Sequence, residues 1–174
     1  MNKKHNILLI QFPYFGKSDI VYPLGLNYVA QGLRGHDVAL FDSNLYKNPL
    51  GQTKFIIKKI NPDIIGISLR NIVFTKNFLS DLSAYFRYIK AISPDSIICV
   101  GGSGFSLDAK IIMRKVKEID FGIFLRGDES FPELIKNLDS PGKVKGIFIR
   151  NKVDVLFTGE RNFGNNLLPL EYGQ

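Results

Sequence analysis

At 174 residues, with 45% hydrophobic and 22% charged side chains, the chain has the size of one domain and a composition that excludes disorder. The formal net charge of +7 comes from scattered lysines, most at helical spacings opposite apolar positions, so they read as solvated helix faces and nucleic acid is not an expected partner. No apolar run approaches the ~18 residues of a membrane helix, and the apolar residues 7–10 are too few for a secretory core, so no membrane partner and a cytoplasmic location are expected.

Short apolar runs alternate with longer amphipathic stretches, the signature of βα units. Residues 6–12 form the first predicted strand, and a loop from Pro13 to Tyr22 follows. Pro23 opens a helix over residues 23–33 on which Leu26, Val29, Ala30 and Leu33 share one face, and Gly35 follows its end. Residues 37–42 read as the second strand, 44–51 as polar loop and 53–60 as a short helix. Residues 64–69 are almost uniformly apolar, as a central parallel strand covered on both faces must be.

A helix over 77–92, a strand over 96–100, a glycine-rich turn over 101–106 and a helix over 109–119 come next. A fifth strand (121–125), a turn (126–130) and a helix (131–138) complete five βα units. Right-handed crossovers then predict an α/β, flavodoxin-like, doubly wound five-stranded parallel sheet in the order 2-1-3-4-5. Residues 146–150 and 153–157 flank Asn151-Lys152 and read as a hairpin, and the polar tail that follows reads as a linker. The expected division is therefore a domain at 1–142 and a hairpin with tail at 143–174.

Ligands of open parallel sheets gather at the carboxyl ends of the strands. Four loops converge there: 11–22, 68–71, 101–106 and 126–130. Gly101, Gly102 and Gly104 read either as a tight turn alone or as backbone that approaches a ligand and offers free amides, and on the second reading a valine at Gly102 is expected to block that approach and leave the fold intact. Ser68 ends a central strand, where its hydroxyl either points into the cleft or caps a turn. Asp128-Glu129 read either as a carboxylate pair or as acidic residues favouring a helix N-terminus, and Arg70 and Arg126 are candidate anion contacts.

Several chemistries are excluded. The glycine turn lacks the dinucleotide spacing, since position 107 is Leu, and no Gly-Lys-Ser/Thr follows it. A phosphoacceptor site would need an acidic first loop, an Asp after strand three and a Lys after strand five. The chain has Gln11-Phe12-Pro13, Ser68-Leu69-Arg70 and Leu125-Arg126 there. The first loop, with Pro13, Tyr14 and Phe15, is unlike a flavin phosphate loop. The two histidines, His5 and His36, have no metal-ligand spacing, Cys99 is alone and reads as a core residue, and no triad is present.

The ordered pieces Ile7-Leu8-Leu9-Ile10, Tyr22-Pro23-Leu24-Gly25-Leu26, Gly35-His36-Asp37-Val38, Asn61-Pro62-Asp63-Ile64-Ile65-Gly66-Ile67-Ser68, Val100-Gly101-Gly102 and Arg126-Gly127-Asp128-Glu129 together resemble one family. It is the amino-terminal cobalamin-binding domain of cobalamin-dependent radical S-adenosylmethionine enzymes. Leu167-Leu168-Pro169-Leu170 resembles the segment that leads into the radical domain there. The resemblance implies cobalamin held over the sheet edge, its nucleotide tail beside the Ser68 loop and the Gly101-Gly102 turn. The first loop would lie under the corrin. The cofactor contacts it implies are Pro13, Tyr14, Tyr22, Ser68, Leu69, Arg70, Gly101, Gly102, Ser103, Gly104, Gly127, Asp128 and Glu129.

No histidine lies between Gln11 and Gly35, so the corrinoid would be held without a histidine from the first loop. One cysteine cannot hold an iron–sulfur cluster. The cluster and S-adenosylmethionine would belong to a radical domain, in cis or in trans, and the chain would not be catalytic alone. The implied function is the cobalamin-binding module of a methyltransferase-type radical enzyme. The alternatives are a cobalamin-free docking domain of the same fold, its cleft filled by Tyr14, Phe15 or Phe105, and a small nucleotide-binding protein.

Overall fold

The computed structural model describes residues 3–14, 21–70, 77–151 and 154–162. Its strands are β1 (Asn6–Gln11), β2 (Asp37–Asp42), β3 (Ile64–Ser68), β4 (Ile97–Gly101), β5 (Phe121–Ile123), β6 (Ile147–Arg150) and β7 (Val155–Phe157). Its helices are α1 (Leu24–Gly32), α2 (Pro49–Ile60), α3 (Phe78–Ile92), α4 (Ser103–Leu107), α5 (Ala109–Lys115) and α6 (Gly127–Lys136). The strands form one sheet in the order β2-β1-β3-β4-β5-β6-β7. The first five are parallel, in the flavodoxin-like order expected from the βα alternation. The expected hairpin continues this sheet: β6 runs antiparallel to β5, and β7 antiparallel to β6. The sheet therefore has seven strands where five were expected.

Strand side chains alternate between two layers. Leu8 and Ile10 of β1, Ile65 and Ile67 of β3, and Ile98 and Val100 of β4 face one layer, where they pack with Ile57 of α2, Leu82, Phe86 and Ile89 of α3, and Ile112 and Met113 of α5. Ile7 and Leu9, Ile64, Cys99 and Ile123 face the other, against Leu26 and Leu33 of α1 and Phe131, Leu134 and Ile135 of α6. Every strand residue from Ile64 to Ile67 is buried, the double coverage that a uniform apolar run implies. On the second face α1 and α6 touch through Gly32, where a Cβ would lie 2.5 Å from Pro132 Cγ.

Two helices begin earlier than the sequence suggests. α2 starts at Pro49 because Asn48, read as loop, is its N-cap; the Asn48 side chain accepts from the Gly51 N–H at 2.9 Å. α6 starts at Gly127, which puts Asp128 and Glu129 in its first turn, the second of their two readings. The stretch read as one helix over 109–119 is shorter, ending at Lys115, and the glycine turn before it contains the five-residue α4.

Arg150 of β6 locks the hairpin to the body of the sheet. Its Nε donates to the Ile119 carbonyl at 2.6 Å, and its Nη2 to the Val116 carbonyl at 2.8 Å and to the Met113 carbonyl. These carbonyls lie at and beyond the end of α5, where helices leave acceptors unpaired. Arg150→Met removes all three bonds and strands partly buried acceptors. It is expected to cost about 2–3 kcal/mol of stability, read as a lower urea midpoint.

Candidate functional site

The sheet leaves a cavity of about 360 Å³ at the carboxyl ends of β3 and β4, on the face covered by α1 and α6. Its floor is made by Gly66 of β3, which lies in register between Leu9 of β1 and Cys99 of β4. Tyr28 and Val29 of α1, Ile123 of β5 and Phe131 of α6 form apolar walls. Ser68, Gly101, Gly102, Ser103, Leu125, Arg126, Gly127 and Asp128 also border it, bringing three of the four converging loops together. Ser68 brings a hydroxyl that, among the described residues, has no hydrogen-bond partner.

The glycines of the turn after β4 answer to the backbone beside them. The Leu69 N–H donates to the Gly101 carbonyl at 2.8 Å, and the Gly104 N–H to the Leu69 carbonyl at 2.9 Å. This pairing brings the two loops so close that a Cβ on Gly104 would lie 1.9 Å from the Arg70 carbonyl oxygen. One on Gly102 (φ +93°) would lie 2.4 Å from the Leu69 oxygen and 2.9 Å from Ser68 Oγ. The backbone of Gly101 and Gly102 borders the cavity, while the positions of their missing side chains point into protein. The expectation that valine at Gly102 would spare the fold is thereby corrected.

Charges at the mouth are paired. Arg126 Nη2 lies 2.7 Å from Asp128 Oδ2 and 3.3 Å from Glu129 Oε1. The hydrogen bond to Asp128 raises the Arg126 pKa above its ordinary value. Arg161, beyond the hairpin, bonds Glu129 at 3.2 Å and also bonds Glu133. The two carboxylates are thus committed to guanidinium partners and helix stabilisation. Burial, with the Asp120 charge second, pushes the Cys99 thiol well up, so it stays protonated as a core group.

Leu125 carries backbone strain. Its φ of +62° is a left-handed conformation that costs a side-chain-bearing residue about 1–2 kcal/mol.

Of the residues predicted from the sequence, Ser68, Gly101, Gly102, Ser103, Arg126, Gly127 and Asp128 border the cavity. Leu69 is buried in the opposite core layer, and Gly104 beneath the Arg70 backbone. Pro13 is buried. The Tyr14 N–H donates to Asn44 Oδ1 at 2.7 Å, and the Arg70 guanidinium sits 5.8 Å from the Tyr14 ring centre. Tyr22 is exposed, its hydroxyl accepting from Asn27, and Glu129 is in the ion-pair group. These seven lie outside the cavity lining. Phe15, the rest of the first loop to residue 20, and the Leu-Pro segment at 167–170 lie outside the described residues.

Gly66, Cys99, Val29, Ile123 and Phe131 also line the cavity, although no motif or loop position in the sequence marks them. A glycine inside a uniform strand run, as at Gly66, is the one signal available for them. Both histidines sit at the amino-terminal end of the sheet, beside the starts of β1 and β2, with their rings stacked 5.6 Å apart. Burial, then the charge of His5, lowers the His36 pKa. Among the described residues no group of three potential ligands could hold a metal ion, and no helix is long and apolar enough to cross a membrane.

Known proteins place this architecture. The B12 binding domain family matches residues 18–135. A Pyrococcus horikoshii protein named "Uncharacterized methyltransferase PH0819" is 30% identical over 126 residues, 72% of this chain and 26% of that one. The fold matches TsrM of Kitasatospora setae, a radical S-adenosylmethionine methyltransferase solved with cobalamin and a [4Fe-4S] cluster, with a TM-score of 0.72 and 16% identity. That match covers 95% of this chain and 31% of TsrM.

The cobalamin-dependent S-adenosylmethionine radical enzyme OxsB matches with a TM-score of 0.65 and 18% identity, over 92% of this chain and 23% of its own. The chain thus spans about a quarter to a third of these relatives. The resemblance read from the ordered sequence pieces is borne out by the family match and by the fold shared with the two radical enzymes. With more than half its length matched to that family, the chain belongs to the B12-binding domain family.

Proposed function

We propose that this chain holds cobalamin for a methyltransferase-type radical S-adenosylmethionine enzyme. The corrinoid lies over the carboxyl edge of the sheet, and its nucleotide tail enters the cavity above Gly66. The observation that carries the reading is that cavity: a recess with apolar walls at the strand ends, bordered by the Ser68 hydroxyl, which has no hydrogen-bond partner among the described residues. An aromatic base fits apolar walls, and a serine hydroxyl suits the polar atoms of the tail.

The other predicted contacts take defined places in this reading. Backbone at Gly101, Gly102 and Ser103 meets the tail, and Gly127 and Asp128 border its path. Pro13, Tyr14, Tyr22, Leu69, Arg70, Gly104 and Glu129 shape and support the rim. In this reading the corrinoid is held without a histidine from the first loop, and the chain's two histidines stand at the far end of the sheet. Bound cobalamin supplies methyl-group carriage; the protein's residues seat and orient it. The iron–sulfur cluster and S-adenosylmethionine belong to a radical domain, in cis or in trans, that docks on the rim, with residues 143–174 leading toward it.

Of the three side chains that would fill the cleft of a cobalamin-free docking domain, Tyr14 and Phe105 support the first reading, and Phe15 lies outside the described residues. Phe105 is fully buried in the opposite layer against Phe148, and neither Phe105 nor Tyr14 borders the cavity. The test is gel filtration of the purified protein after mixing with hydroxocobalamin. The expected result is corrinoid absorbance travelling with the protein, with cobinamide, which lacks the nucleotide tail, binding at least about tenfold more weakly. Protein that elutes free of corrinoid, with cobalt oxidised or reduced, overturns the proposal.

A further inference from the structure

Two residues other than glycine have positive φ among the described residues, Asn61 and Leu125. Asn61 is ordinary: it ends α2 in the left-handed conformation that asparagine tolerates, its N–H bonded to the Ile57 carbonyl. Leu125 has no such excuse. It joins β5 to α6, is 52% exposed, and borders the cavity. Its backbone is held from both sides. The Leu125 N–H donates to Ser106 Oγ at 2.8 Å, and the preceding Phe124 N–H to the Gly146 carbonyl at 2.9 Å.

A leucine here is unfavourable twice for the fold alone. The left-handed conformation opposes a side chain, and half of an apolar side chain meets water. Glycine or asparagine would adopt the same backbone without the first cost, and asparagine without the second. Strain of this kind persists where the surroundings enforce it, and it gathers at ligand sites.

We infer that the Leu125 side chain is a ligand contact, packing on an apolar part of the corrinoid as it enters the cavity and shielding it from water. This rests on the cobalamin reading above.

The experiment compares wild type, Leu125→Asn and Leu125→Met in two measurements: spectral titration with hydroxocobalamin, and urea unfolding without it. Leu125→Asn is expected to unfold at the wild-type midpoint or above and to bind at least about fivefold more weakly, while Leu125→Met binds within about twofold of wild type. Wild-type affinity in Leu125→Asn, with wild type itself binding, overturns this inference and leaves the cobalamin reading standing. A clearly lower urea midpoint for Leu125→Asn also overturns it, since the side chain would then serve the fold. Wild-type protein that takes up no hydroxocobalamin overturns both.

Discussion

Gly66→Val is expected to abolish cobalamin retention in a protein that still folds. Gly66 lies at the middle of β3 on the α1/α6 face, and a Cβ there would stand 2.7 Å from Leu9 Cδ2 and 3.4 Å from Phe131 Cζ. The nearer obstacle is the end of a flexible side chain, which can turn aside. Valine also suits a central strand. Overpacking of this sort costs about 1–3 kcal/mol, which a domain of ordinary stability survives. The added methyls, however, rise from the floor where the nucleotide tail would lie. Titration with hydroxocobalamin alongside urea unfolding checks both halves. A folded Gly66→Val protein with wild-type affinity removes this cavity from the binding site.

Gly104→Ala is expected to be among the most destabilising single changes in the chain, at about 3 kcal/mol or more. The obstacle is backbone: the new carbon would lie 1.9 Å from the Arg70 oxygen and 2.8 Å from its carbonyl carbon. Neither can rotate away. Relief requires the loops at 68–70 and 101–104 to separate, which breaks the Gly104 N–H bond to Leu69. The midpoint of urea unfolding measures the loss, and a shift worth under about 1 kcal/mol would show that the loops are less tightly apposed. Gly102 is in a related position, with positive φ as well as a backbone obstacle. A substitution there reports on folding before it reports on any ligand.

Local pattern made the parallel core legible. The alternation of strand-length apolar runs with amphipathic helices carries the order of the first five strands, and the uniform run at Ile64–Ile67 marks a strand covered on both faces. Helix starts were harder because capping residues double as loop residues. Asn48-Pro49 reads as a turn until the asparagine side chain is seen bonding the Gly51 N–H. The mouth loops were readable from their place at strand ends. The walls were not, since Val29, Ile123 and Phe131 are ordinary core residues, and only the packing of α1 and α6 around Gly66 leaves a space between them. The glycines after β4 were visible, but their main physical reason, a backbone approach to residues 68–70, is tertiary.

The rim of β1, β3 and β4 is cross-tied before any ligand arrives. The Phe12 N–H and the Gln11 Nε2 both donate to the Ser68 carbonyl, at 3.1 Å each, and Ser43 Oγ donates to the Gln11 carbonyl. Together with the Leu69 bonds to Gly101 and Gly104, these fix three strand ends as one frame. Ordering a loose side chain on association typically costs about 0.5–1.5 kcal/mol each. A rim that has already given up its freedom incurs little of that entropy, so a guest settling there meets a prepared seat and keeps more of its contact energy as affinity.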